Sequence, residues 1–400
     1  MSGRRTRVDF PGLDTVRAFG ALAVLCTHVA FWTGSYGLDL LGTAWSRLDV
    51  GVAIFFVLSG FLLSRPFLER ARNGERQERV GAYLLKRALR VLPVYWVVAV
   101  AALLIVPANR DLGPGAWLRT LTLSDLYFSH SLPAALTQMW SITTEVAFYL
   151  VLPLLMWGWT RVTGGRRSDA KVVVMVLATA AISVLWAVRP PGWIVSHASF
   201  HAQWLPAYLV WFAAGIALAH VHVCRDEPHE GRFDLVTPVL RLGEQPGVCW
   251  TAVLALFLVA STPLAGPALL VPTSPGELAT KTMLYTLIGA LIVLVTAFAP
   301  RESGYARAMA HPLGRHLGRI SYCVFCVHVL VLHLIVMVTP WRPFIDGHHW
   351  TILAVVLASS AALAEVLHRL VEAPVMRWRP RRSAAPAVTA SSASEVTLSS

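Results

Sequence analysis

Charge is what this sequence lacks most: only 14% of its 400 residues are Asp, Glu, Lys or Arg, against roughly 25% in soluble domains. That shortage, with 56% hydrophobic residues and a mean hydropathy of +0.59, excludes an ordinary water-soluble fold. Cysteine is scarce as well. Cys26, Cys224, Cys249, Cys323 and Cys326 all fall in or beside apolar runs, where a free thiol behaves as a small hydrophobe, so no disulfide framework is implied. The run CVFCVH at 323–328 has one residue too many for haem attachment. No internal repeat and no inverted pair of broken helices is visible, which disfavours a transporter built from repeats. Soluble nucleotide-binding motifs and lipid-anchor signals are also missing.

What is present is a succession of apolar windows about 20 residues long, which predicts ten membrane spans. They fall near 13–33, 48–66, 91–108, 139–159, 171–188, 204–224, 248–265, 279–299, 319–338 and 350–371. The expected fold class is all-α, a polytopic integral membrane protein. Arg4, Arg5 and Arg7 precede the first span, but no small-residue cleavage site follows, so it reads as a retained helix. With the N-terminus cytoplasmic, only Arg47, Arg110, Arg119, Arg189, Lys281 and Arg342 of the 34 Lys and Arg residues fall on the outer side. This positive-inside bias predicts that both termini are cytoplasmic. Net charge +12 then reflects topology and contact with the inner leaflet, and needs no nucleic acid. The chain divides into a basic N-terminus, 1–12, a membrane domain, 13–376, and a Ser/Ala/Thr/Val-rich tail, 377–400, expected to be disordered.

Ionisable residues inside such spans are costly and mark functional sites. Arg17 and His28 are eleven residues apart, almost a whole number of helical turns, so they share a face about 16 Å apart along the axis. Asp14 stands three residues before Arg17 and offers an ordinary helix-end ion pair. In the second span Asp49 lies at the outer entrance and Ser59-Gly60 near the inner end. Ser59 reads first as a packing residue and second as a nucleophile. Lys86, Arg87 and Arg90 open the third span, and guanidinium forks suit phosphate, although basic flanks also serve topology. Glu145 sits about six residues inside the outer boundary of the fourth span, with Tyr149 one turn deeper. At that depth His28 is its natural partner, and a His–carboxylate pair is a competent general base. A purely structural buried ion pair is the alternative. His197 and His201 have metal-compatible spacing, but no third ligand is evident, so no metal site is expected.

Several runs together bring a resemblance into view: Leu13-Asp14 to His28 with its R-x10-H spacing, FFVLSGF, KRALRVLP, WSITTEVAFY, GRISYCVFCVH from Gly318, and VEAPV around Glu372. In this order, between residues 10 and 376, the chain resembles the acyltransferase 3 family of multispan membrane O-acyltransferases. It departs in carrying Cys323 and Cys326 where aromatic or aliphatic residues are more usual, and in lacking the esterase-like domain attached in some members. The resemblance implies transfer of an acyl group, commonly acetyl, from cytoplasmic acyl-CoA to a hydroxyl of a cell-envelope carbohydrate or lipid-linked glycan, by a multi-pass protein of the cell membrane. Acyl-CoA would be a co-substrate, with no permanently bound cofactor. On this reading Arg17, Arg87 and Arg90 hold acyl-CoA, and His28, polarised by Glu145, is the base. Tyr149 or Tyr322 would donate to the oxyanion, with Asp14, Ser59, Ser321 and His328 in support. Direct transfer is expected over an acyl-enzyme. Two other readings stand beside it, acylation of a small-molecule or secondary-metabolite glycoside, and a proton-coupled transporter.

Overall fold

A computed structural model describes residues 10–37, 39–195, 200–227, 233–267 and 273–377. Most of the expected N-terminus, nearly all of the expected tail, and His197 fall outside these residues. Every described regular element is helical. The long helices are α1 (Pro11–Trp32), α2 (Val50–Arg72), α3 (Val80–Ile105), α4 (Trp140–Thr163), α5 (Asp169–Val188), α6 (Leu205–Cys224), α7 (Pro246–Ala260), α8 (Pro275–Phe298), α9 (Pro312–Val338) and α10 (His349–Leu367). Proline opens α1, α7, α8 and α9, where its missing N–H costs nothing. Ser274 and Glu277 close a reciprocal capping box on α8.

Nine of these helices among the described residues are long and apolar enough to cross a bilayer alone. The tenth, α7, corresponds to the expected span 248–265 and passes only together with the helix before it. Its 15 residues cover about 22 Å, short of the roughly 30 Å hydrocarbon core. It turns by 90° from the preceding helix Val236–Gly243. It nevertheless runs from one face of the bundle to the other. Gly243 abuts Phe298 at the end of α8, while Arg47 before α2 donates from Nε to Ala260 O at 2.7 Å and also reaches Gly266 O. The Ala260 carbonyl is an orphan acceptor at the end of α7, and a buried guanidinium satisfies it. With α7 and its preceding helix counted as one bent span, the candidate crossings among the described residues number ten. The third span also differs from expectation: α3 starts at Val80, so Arg87 and Arg90 lie on a helix that projects beyond the apolar window.

Close approach at small residues holds the centre together. A Cβ on Gly60 of α2 would collide with the Phe212 carbonyl of α6, and one on Gly215 of α6 with the Val57 carbonyl. In lipid, association rests on this kind of packing, because there is no water to expel from between helices. α1 packs extensively on α9 and on α2, and α4 packs on α2 from the other side. α5 buries only Asp169, Val172 and Ser183 and forms the periphery. At its start Asp169 accepts from Arg167, from His220 Nε2 at 2.9 Å and from Leu235 N at 2.9 Å, tying three segments together. The bundle thus leaves a hollow between α1, α2, α3, α4 and α9.

Candidate functional site

That hollow is a cavity of about 1680 Å³, larger than the roughly 300–1,000 Å³ typical of a small-ligand pocket. Its mouth carries Arg65, Arg70, Arg72, Lys86 and Arg225, interspersed with Glu69, Glu78, Asp226 and Glu227. Asp14, Arg17, Ser59, Arg87, Arg90, Glu145, Tyr149, Ser321 and Tyr322 all line it. Of the catalytic, acyl-CoA-binding and supporting residues expected from sequence, only His28 and His328 do not.

The three expected phosphate-binding arginines differ in what they have left to offer. Arg17 Nη1 lies 2.8 Å from Asp14 Oδ1. Arg90 is ion-paired with Glu372, whose side chain is 1% exposed, and its guanidinium lies 5.7 Å from the Tyr322 ring centroid. Glu372 sits in a π turn, His368–Glu372, and also accepts from His368 Nδ1 at 2.8 Å and Cys323 Sγ at 3.3 Å. Arg87 has no ion pair among the described residues, and its buried Nε has no hydrogen-bond partner. The Tyr83 hydroxyl, one turn away on the same helix and also lining the cavity, is likewise buried and unpartnered. Donors left open in a buried site are stabilised when an anion supplies the acceptors. Tyr83 and Glu372 were missed in the sequence as site residues. The i, i+4 spacing of Tyr83 and Arg87 was the available signal for the first.

The expected pairing of His28 with Glu145 is not what the structure shows. Glu145 accepts hydrogen bonds from Ser59 Oγ and from Tyr149. The reason is architectural: α2 stands between, packing on α1 with one side and on α4 with the other, so the residue that meets Glu145 belongs to α2. His28 instead meets α9. Its Nδ1 is 2.8 Å from Val24 O and 3.1 Å from His328 Nε2, and the ring centroids are 5.0 Å apart. The expected oxyanion donors are also engaged elsewhere. Tyr322 donates to Val91 O at 2.7 Å, and Tyr149 to Glu145. Ser321 donates to Gly318 O of its own helix.

Phe55 and Phe325 both line the cavity, 6.2 Å apart between centroids, and Phe325 lies 5.8 Å from His328. Phe325 thus belongs both to the cavity wall and to the surroundings of the histidine pair. The arrangement can receive a large polyanion at one face and present its far end to a base buried beyond.

Comparison with known proteins gives this geometry a context. An acyltransferase-domain family model matches residues 10–364. Nodulation protein 10 of Rhizobium leguminosarum bv. viciae is 24% identical over 402 residues, covering 92% of this chain and 93% of that protein. Acyltransferase MdmB of Streptomyces mycarofaciens is 24% identical over 403 residues, 94% of each. Peptidoglycan O-acetyltransferase OatA of Listeria monocytogenes is 25% identical over 167 residues, 38% of this chain and 25% of that protein. No solved structure matches the chain.

Proposed function

The chain belongs to the acyltransferase 3 family and is an O-acyltransferase, and from that premise we propose that it moves an acetyl group from cytoplasmic acyl-CoA to a hydroxyl of a cell-envelope carbohydrate. Family membership replaces the transporter reading. The observation that carries the proposal is Arg87, a guanidinium without an ion pair among the described residues, in a large arginine-lined cavity whose wall includes Phe325, the neighbour of His328. The phosphates of acyl-CoA would take Arg87 and the Tyr83 hydroxyl first, with Arg17 and Arg90 contributing charge from within their ion pairs. The pantetheine arm would run past Ser59, Glu145 and Tyr149, a polar cluster able to pair with its amides, and deliver the thioester to Phe55 and Phe325. There His28 Nε2 would take the proton of the acceptor hydroxyl as the oxygen attacks the thioester carbon. The thiolate of CoA leaves and recovers that proton. Direct transfer needs no nucleophile on the protein, and Ser59, whose hydroxyl is bound to Glu145, is then a substrate-positioning group.

Two observations support this choice of acceptor: His28 lies near the end of α1 opposite the arginine-rich mouth, and the relative OatA carries a name that describes peptidoglycan O-acetylation. In this reading the protein resides in the cell membrane with both termini cytoplasmic. Feeding [14C]acetyl-CoA to inside-out vesicles and separating glycan from soluble products tests it. Label in the envelope glycan supports the reading. Label confined to a soluble glycoside would replace it with small-molecule acylation by the same fold.

A further inference from the structure

Every hydrogen bond that the structure gives His28 runs through one nitrogen. Nδ1 stands 2.8 Å from Val24 O and 3.1 Å from His328 Nε2. A backbone carbonyl only accepts, so His28 carries its proton on Nδ1 and keeps the lone pair of Nε2 for chemistry. The same argument fixes the second ring. His328 Nδ1 stands 3.2 Å from Val324 O, so its proton is there too, and its Nε2 lone pair is turned toward His28 Nδ1. Neither histidine lines the cavity, but His328 is wholly buried, with 0% exposure, whereas His28 is half-buried.

We infer that His328 is the positioning residue for His28, taking the place that a carboxylate occupies behind the imidazole of a Ser-His-Asp triad. The inference rests on the acyltransfer reading and deepens it. In the resting state the two i−4 carbonyls lock both tautomers. When His28 Nε2 accepts the proton from the acceptor hydroxyl, the positive charge that forms is shared through the Nδ1–H to the His328 Nε2 lone pair. The C–O bond forms as the C–S bond breaks, and the proton passes from Nε2 to the departing thiolate, so both rings end neutral as they began. A carboxylate in this place would bury a permanent charge in the bilayer, whereas a second imidazole is neutral until the moment of transfer. Glu145 is thereby released from the polarising role and left to the cavity.

The test compares His328→Gln with His328→Leu in full-length protein in native membranes, measuring kcat and the KM for acetyl-CoA. Glutamine can place a carbonyl oxygen near the position of Nε2 and accept from His28 Nδ1–H. Leucine fills the space and accepts nothing. H328L should lower kcat by about 100-fold or more, the scale of a positioned acid–base contribution, with KM for acetyl-CoA within about twofold of the parent. H328Q should restore at least about tenfold of that loss. Equal kcat in H328L, H328Q and the parent would overturn the inference, as would equal loss in both variants with acetyl-CoA binding intact. If H328L fails to insert, H328Q against the parent decides: kcat within about tenfold sustains the inference, and a larger loss overturns it. A parent chain that neither binds nor turns over acyl-CoA contradicts the acyltransfer reading and takes this inference with it. A working parent indifferent to His328 contradicts the inference alone.

Discussion

At the residue scale the two arginines of the KRALR run separate into different jobs. Arg87 has no ion pair to lose, so Arg87→Ala should leave insertion and thermal stability near the parent while weakening acetyl-CoA binding. Loss of a charge-assisted hydrogen bond of about 1.5–3 kcal/mol corresponds to roughly 10- to 150-fold in Kd, readable by equilibrium binding in detergent. Arg90→Ala leaves Glu372 buried without its ion-pair partner, and breaking a buried pair from one side costs about 3–5 kcal/mol. Its melting temperature should therefore fall well below that of Arg87→Ala, and the reverse ranking would contradict the assignment. Sequence alone gave both arginines one role, because the partner that distinguishes them lies far along the chain in a π turn.

Asp125, in the segment between α3 and α4, gives a pH signature of the same local kind. Burial holds its carboxyl above the ordinary range, against the opposing effects of Thr120 Oγ1 at 2.6 Å and of Arg119. The folded protein thus keeps this proton to higher pH than the unfolded chain does. The group supports the fold at acid pH, and that support is lost as pH rises through its folded-state value. Relative to Asp125→Asn, the parent should lose melting temperature as pH rises above about 4, the ordinary carboxyl range, and a relative gain would contradict the account.

Among the elements, the α2–α6 crossing has the least room. Gly215→Ala places a methyl against the Val57 carbonyl and the Phe61 nitrogen, and overpacking of this kind costs about 1–3 kcal/mol. Gly158 on α4 faces open space, so Gly158→Ala should be neutral or slightly stabilising, and equal melting shifts in the two variants would argue against the packing account. Phe325 tests the deep wall of the cavity. Phe325→Ala should raise the rate with butyryl-CoA relative to acetyl-CoA by about tenfold, since each methylene accommodated is worth that order of discrimination. An unchanged ratio would place the acyl group elsewhere. Helix existence was legible here because apolar windows near 20 residues have few other readings. Depth along a helix was not. α3 begins eleven residues before its apolar window, and Glu145 was placed opposite His28 by counting from an interface, when its partner is set by which helix stands next to α4.

For the whole molecule, the charge asymmetry of the sequence predicts one orientation, with both termini cytoplasmic. A cysteine at Asp111, in the loop after α3, should react in intact cells with an impermeant maleimide, and one at Glu75, between α2 and α3, should react only after permeabilisation. The opposite pattern would reverse the topology. Composition carries such a prediction because the cost of moving Lys and Arg across a bilayer acts on the chain segment by segment. The meeting of His28 with His328, 300 residues apart, was not, since it depends on the extensive packing of α1 against α9 and leaves no local trace.

The central claim is that acyl-CoA fills the arginine-mouthed cavity and gives up its acyl group at His28. The most direct measurement is transfer of label from [14C]acetyl-CoA to envelope glycan by membranes carrying the parent chain or His28→Ala, matched for inserted protein, with acetyl-CoA binding determined on the same samples. The account predicts equal binding by both, with transfer by the parent and a loss of about 100-fold or more in the variant. Undiminished transfer by His28→Ala, or loss of acetyl-CoA binding together with transfer, would contradict it.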